Sequence, residues 1–288
     1  SMVSFKTLTM LTLAGSAAAH MRLSFPPPLK ADNNPNTLEA DPYLHYPYGC
    51  CGRKVPGRCN GHLDALNTDE GKPVVTWAPG QKVNFTLTGH KVEAGVDNVV
   101  GGTHYGGSCQ VGFSVDGGKT FKTAATWQGN CPLRKGTIDP STQHFDFTIP
   151  ADIPTGERQI FVWNWVNREQ EKFETCASVA IAGGDDRNSE KPPESSPAPS
   201  SPAQKPSNAP APSSAPPPAT SSHAEKLNVP HRRAESVSWS QRPDMLLDID
   251  FAGAACKSKG NPSELEFPNP GPDVIKGDGE YKLAPPTC

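Results

Sequence analysis

The stretch Cys109-Gln110-Val111-Gly112-Phe113-Ser114-Val115-Asp116-Gly117-Gly118-Lys119 is apolar at alternate positions and then breaks into a glycine pair behind an aspartate. A period of two puts one face of a strand on a core, and Asp-Gly-Gly is turn chemistry, so the segment predicts a strand entering a hairpin. Working outward, Val83, Phe85 and Leu87 alternate with polar residues, and Phe145-Asp146-Phe147-Thr148-Ile149 does the same before Pro150. Gln159-Ile160-Phe161-Val162-Trp163-Asn164-Trp165 and Ala177-Ser178-Val179-Ala180-Ile181 complete the set. No stretch of similar length has a helical period. The predicted fold class is all-β, an immunoglobulin- or fibronectin III-like antiparallel β-sandwich with long loops, followed by a disordered linker and tail. The region from Met21 to Leu66 lacks this regularity and is expected to form loops held by Cys50, Cys51 and Cys59.

Residues 1–19 carry one lysine, an apolar run around Met10-Leu11-Thr12-Leu13-Ala14, and the ending Ala17-Ala18-Ala19. They read as a secretory signal peptide, too short to span a bilayer, with cleavage expected after Ala19 and a cut after Ala18 as the alternative. Residues 20–182 then form the domain. Residues 183–233 turn to Ser, Pro and Ala, as in Ala215-Pro216-Pro217-Pro218, and read as an extended linker that cannot bury enough apolar surface to order itself. Residues 234–288 hold Cys256 and Cys288 but few apolar side chains, too few for a core of their own, and are expected to be mostly disordered or a small module. Arg232-Arg233, just before this tail, could mark a dibasic processing site. Eight cysteines in an exported chain imply disulfides, and Asn84-Phe85-Thr86 is a glycosylation acceptor triplet. A formal net charge of -3 gives no reason to expect a nucleic-acid partner, and the absence of a later apolar span predicts a secreted protein with no membrane partner.

Cleavage after Ala19 would leave His20 first, with a free α-amine beside its imidazole. The two together form a chelate that an internal histidine cannot match. A second imidazole would complete a site for one copper ion. His104, in Gly101-Gly102-Thr103-His104-Tyr105-Gly106-Gly107-Ser108-Cys109, is the best candidate, because its glycines permit close backbone approach and Cys109 would anchor the loop, most simply to Cys131. His90 is the rival; His45, His62 and His144 read as surface or satisfied residues. Three nitrogen donors, the amine and two imidazoles, suit the tetragonal preference of Cu(II), whereas no further ligand run suits tetrahedral zinc. Such a site should lose copper below about pH 6 as its donors protonate.

His20-Met21-Arg22-Leu23, His104-Tyr105-Gly106-Gly107-Ser108-Cys109-Gln110, Gly129-Asn130-Cys131-Pro132, and Trp163-Asn164-Trp165-Val166-Asn167-Arg168 through Cys176-Ala177 occur in this order. Together they resemble the fungal lytic polysaccharide monooxygenases of auxiliary activity family eleven, over most of His20 to Ile181. The resemblance implies a copper histidine brace that uses O2 or H2O2 and an external electron donor to oxidise glycosidic bonds in an insoluble polysaccharide, chitin above all. By position, Glu171 matches a glutamate that steers protons near the oxygen species. Phe173 stands where the family pattern has tyrosine, and would shield the axial face without ligating.

The stretch between His20 and His104 is longer than the family pattern, adding Tyr46-Pro47-Tyr48-Gly49-Cys50-Cys51. Tyr43, Tyr46, Tyr48 and Tyr105 are flat amphipathic rings that could stack on sugars, or pack the loops, and Tyr46, Tyr48 and Tyr105 are the expected substrate-binding set. The pairing among Cys50, Cys51, Cys59 and Cys176 stays open. Gly117-Gly118-Lys119-Thr120 imitates the end of a phosphate-binding loop, but the required first glycine is Phe113 and the context is a hairpin. A monomer is expected, since a brace enzyme must lay a flat face on its substrate. Two other readings predict different outcomes: a non-catalytic secreted copper-binding protein with the same brace, and a wall adhesin that would be indifferent to loss of His20.

Overall fold

Eleven short strands appear in the computed structural model, which describes residues 20–90, 104–183 and 237–288. They are β1 (Arg22–Phe25), β2 (Thr76–Trp77), β3 (Lys82–Thr88), β4 (Ser108–Ser114), β5 (Lys122–Gln128), β6 (His144–Thr148), β7 (Gly156–Val166), β8 (Lys172–Ile181), β9 (Glu264–Leu265), β10 (Val274–Lys276) and β11 (Leu283–Ala284). Helical content among the described residues is confined to 3-10 turns, and none is long and apolar enough to cross a membrane. The signal-peptide reading, and the linker beyond Gly183, fall outside the described residues.

Two sheets face each other. One runs β1-β3-β6; the other runs β10-β5-β4-β7-β8-β2, while β9 and β11 form a two-stranded pair. The stretch that predicted a hairpin forms it: β4 pairs antiparallel with β5, Cys109 opposite Trp127 and Phe113 opposite Lys122. Asp116 ties the turn by accepting from Lys119 N and Thr120 N, each at 3.0 Å. Between the sheets, Leu23, Phe85, Leu87, Phe145 and Phe147 of the first meet Val111, Phe113, Trp127, Phe161, Trp163 and Trp165 of the second. Trp77 meets Phe113, Phe147 and Phe161 edge-on, with ring planes at 85°, 87° and 89°, an arrangement favoured by the ring quadrupoles. The β-sandwich is therefore as expected, although its two edge pairings, β2 with β8 and β10 with β5, are parallel.

Residues 237–288 differ from the expectation of a mostly disordered tail. They belong to the same compact unit as the sandwich. Part of the segment lends anchors to the cores of the sandwich, and part gathers a small cluster of its own over Val166. Trp239, 6% exposed, enters the main core beside Phe113. Met245 and Leu247 pack with Ile160, Val162 and Phe121, and Ile249, Leu265 and Phe267 pack with Val166. Every residue of β4 is buried, including the polar Gln110, whose Oε1 accepts from Leu246 N at 3.1 Å. Arg242, also buried, donates to Ala124 O at 2.8 Å and pairs with Asp273 at 2.8 Å. A count of apolar residues misjudges such a segment, because docking needs only enough anchors to cover a neighbour whereas independent folding needs a closed core.

The disulfides are Cys50–Cys51, Cys59–Cys176, Cys109–Cys131 and Cys256–Cys288. Cys59–Cys176 ties the irregular N-terminal loops to β8 across 117 residues, a long closure of the kind that most restricts the unfolded chain.

Candidate metal centre

The site is built around two rings at the end of the β7–β8 hairpin. Trp165 near the end of β7 and Phe173 at the start of β8 are register partners, and their side chains stack at 4.3 Å between centroids. Phe173 in turn lies 5.7 Å from the ring of His20, two residues before β1. Two further rings, Tyr46 at 4.8 Å and His45 at 5.8 Å, meet His20 from the loop that precedes Cys50. His20 is thus buried on a shelf of rings.

The His104 loop reaches the same pair of rings by a different route. Trp165 Nε1 donates to Gly106 O at 2.9 Å, two residues beyond His104. Cys109–Cys131 anchors the far end of this loop as expected, and Gly106 N donates to Pro132 O at 2.8 Å. Gly106 and Gly107 have φ of 88° and 87°, a region that side chains disfavour, so the backbone after His104 needs glycine at both positions. His104 is 37% exposed, and its Nδ1 stands 3.5 Å from the carboxylate of Glu169, itself 38% exposed. One buried stack therefore links His20 to the loop that carries His104: His20 to Phe173, Phe173 to Trp165, and Trp165 to the carbonyl of Gly106.

Glu171 lies in the β7–β8 turn, half-buried; its carboxylate accepts from Asn167 Nδ2 at 2.7 Å, and its N–H donates to Asn167 Oδ1 at 2.8 Å. Tyr46 is half-buried against His20, and Tyr105 is half-buried against the main core. Tyr48 does not fit the expected role on sugar. It is 6% exposed, its hydroxyl donates to Gly57 O at 3.2 Å, and the Lys172 ammonium lies 3.6 Å from its ring centroid. Tyr43 is an exposed ring of this loop, at 42%, with the Arg53 guanidinium 3.7 Å from its centroid.

Lys172 and Glu174 flank Phe173 in sequence and so face the other side of β8, where they form a buried ion pair at 2.5 Å. Burial pulls the Lys172 ammonium down despite its carboxylate partner. Burial alone would raise the Glu174 carboxyl, but Lys172 and the Cys59 N–H, at 2.6 Å, outweigh it and hold the group below the usual range. With Cys59 and Cys176 this carboxylate forms a cluster of metal-ligating residue types, but both sulfurs are committed to the disulfide. Other histidines have other surroundings: His62 sits on Asp41 at 2.7 Å, His144 beside Asp146 at 3.0 Å, and His90 N donates to Thr88 Oγ1 at 3.1 Å.

Sequence reasoning set His45 aside, yet its ring stands next to His20. No periodic signal could have marked it, because it belongs to an irregular loop whose path is set by partners far along the chain, such as Tyr48 N donating to Lys172 O at 2.9 Å.

No protein-family model matches the chain. It is 34% identical over 185 residues to the AA11 family lytic polysaccharide monooxygenase A of Aspergillus fumigatus, a match covering 62% of this chain and 72% of that relative. The chain belongs to the AA11 family of lytic polysaccharide monooxygenases. It is therefore an oxidoreductase of the monooxygenase class. A second relative, the AA11 family lytic polysaccharide monooxygenase B of Aspergillus fumigatus, is 29% identical over 102 residues, covering 31% of this chain and 24% of that one. A solved structure named CvAA9A is similar at 18% identity over 41% of this chain and 63% of its own, with a TM-score of 0.28. The fold assignment of this AA11 member stands on its own strand pairing.

The donor set fits copper. All eight cysteines lie in disulfides, so the donors beside these rings are the imidazoles of His20, His45 and His104 and the carboxylate of Glu169, nitrogen and oxygen types that Cu(II) accepts. Phe173 offers no donor atom beside His20, so one side of that imidazole is closed by a ring that cannot ligate.

Proposed function

We propose that this AA11 member is secreted, is cut after Ala19, and uses His20 with its α-amine and His104 to hold one copper ion that drives oxidative cleavage of crystalline chitin. The observation that carries this reading is the buried stack through Phe173 and Trp165, which ties two histidines far apart in sequence to one end of the sandwich in a chain of this family. Copper, when bound, supplies one-electron chemistry towards O2 or H2O2, with electrons from an external donor. The chain's own residues do the rest. Phe173 excludes water from one side of His20, and the Trp165 contact holds the His104 loop against the same stack. Glu171, oriented by Asn167, would carry protons. Tyr46 and Tyr105, each half-buried, would contribute to the substrate face, and the protein would act as a monomer.

Incubation of the copper-loaded, correctly cleaved protein with crystalline chitin and ascorbate, followed by mass spectrometry of soluble products, tests this directly. Oxidised chitooligosaccharides that vanish with His104→Ala are expected. Silence on chitin, cellulose and xylan despite tight copper binding would point instead to non-catalytic copper binding on the same histidines, a reading to which the Glu169 carboxylate beside His104 lends some support.

A further inference from the structure

The loop after His104 is also held from the C-terminal segment. Gly107 N donates at 2.7 Å to the carboxylate of Glu264, the first residue of β9 and 157 positions away. The next residue is held by the same strand: Ser108 Oγ donates to Leu265 O at 2.6 Å, and accepts from Gly129 N at 3.0 Å. Glu264 is buried, and an unpaired buried carboxylate would be costly. Arg134 compensates it with two hydrogen bonds, at 2.5 and 3.1 Å, and its remaining donors reach Asp278 at 2.7 and 3.0 Å. Space around this clamp is fully used. A side chain at Gly106 would collide with the Arg134 guanidinium, and one at Gly129 would meet Glu264 Oε2 at 2.7 Å.

Glu264 therefore fixes a peptide N–H close in sequence to His104, through a hydrogen bond strengthened by charge and set in a buried environment. We propose that Glu264, clamped by Arg134, is a positioning residue for the copper site, and that the C-terminal segment sets where His104 stands. This rests on the reading of His104 as a copper ligand. A residue that orients a ligand without touching the metal commonly changes metal affinity by about 10- to 100-fold when it is lost.

The test uses the full mature chain, with Glu264→Ala, Glu264→Gln, His104→Ala and a control, Asp273→Asn. The control loosens the same C-terminal segment at its Arg242 contact, which touches β5 and no residue of the His104 loop. Three quantities are measured: the Cu(II) dissociation constant, the electron paramagnetic resonance spectrum of the Cu(II) protein, and amide exchange of residues 104–108 in the metal-free protein. Glu264→Ala is expected to weaken Cu(II) binding by roughly 10- to 100-fold, shift the spectrum and speed exchange, with Glu264→Gln intermediate and Asp273→Asn close to wild type. An unchanged constant and spectrum in folded Glu264→Ala would overturn the proposal, as would equal changes in Asp273→Asn, which would reduce the effect to general loosening. Should the alanine variant fail to fold, the glutamine variant decides alone: wild-type affinity and spectrum overturn the proposal. If wild type and His104→Ala bind Cu(II) alike, the ligand reading itself is wrong and the positioning proposal falls with it. That result is distinguishable, because it appears without any change at Glu264.

Discussion

His20 lies among Tyr46, His45 and Phe173, held by ring packing, whereas the loop carrying His104 is fixed by backbone hydrogen bonds to Trp165, Pro132 and Glu264. Packing tolerates small displacements of each ring and resists loss of volume. Hydrogen bonds have the opposite character, being sensitive to direction and to a single lost donor. The two halves of the candidate site should therefore fail in different ways, and Trp165 touches both, stacking on Phe173 while donating to Gly106.

The sharpest way to break the packed half is Phe173→Ala, which removes a buried ring between His20 and Trp165. A loss of about 3–5 kcal/mol in unfolding free energy is expected from denaturant titration. A loss below about 1 kcal/mol would mean that the shelf does not depend on this ring.

Glu174→Gln probes the loop behind that shelf. It leaves the buried Lys172 ammonium without its counter-charge and weakens the acceptor of Cys59 N–H, so about 1.5–3 kcal/mol should be lost. Exchange of the loop around His45 should speed up while that of residues 104–108 does not.

Trp165→Phe separates the two roles of that residue. It keeps a ring to stack on Phe173 but removes the donor to Gly106 O, at a cost of about 1 kcal/mol. Faster exchange confined to the His104 loop would confirm that the tie is polar; an equal change around His20 would contradict the division.

The smallest effect is one of pH. The hydrogen bond from Arg134 holds the Asp278 carboxyl below the usual range, outweighing the opposing effect of burial. Its contribution to stability is complete above the ordinary aspartate pKa of about 3.9 and is lost as pH falls through the lower folded value. Protection factors at residues 104–108, taken relative to the intrinsic exchange rate at each pH, should fall on acidification through that window, with little change on the His20 side, and substitution Asp278→Asn should flatten the response.

Much of the sandwich was legible because β4, β6 and the hairpin at Asp116 carry their periodicity in consecutive residues. The C-terminal segment was not, although a trace of it was present. The run from Ile160 to Trp163 is apolar on both faces of β7, and a strand with two apolar faces needs cover on both. Phe161, Trp163 and Trp165 face the opposing sheet, while Ile160 and Val162 are covered by Met245 and Leu247. His20 and His104 were marked by their own chemistry and by glycines around the loop; His45 and Glu264 carried no comparable mark. Tyr48 was misplaced because an aromatic residue in a loop looks alike whether it faces sugar or a buried lysine.

By itself the sequence determined the strand periodicity, the turn at Asp116, the Cys109–Cys131 anchor and the two histidines whose residue types suit copper. Only the tertiary structure decided what surrounds them: that residues 237–288 close the outer face of the main sheet, that Cys59 joins Cys176, that His45 stands beside His20, and that Glu264 holds Gly107. The physical reason is range. A period of two is written in neighbouring residues, whereas a buried carboxylate finds its N–H 157 positions away only after both sheets have assembled around it.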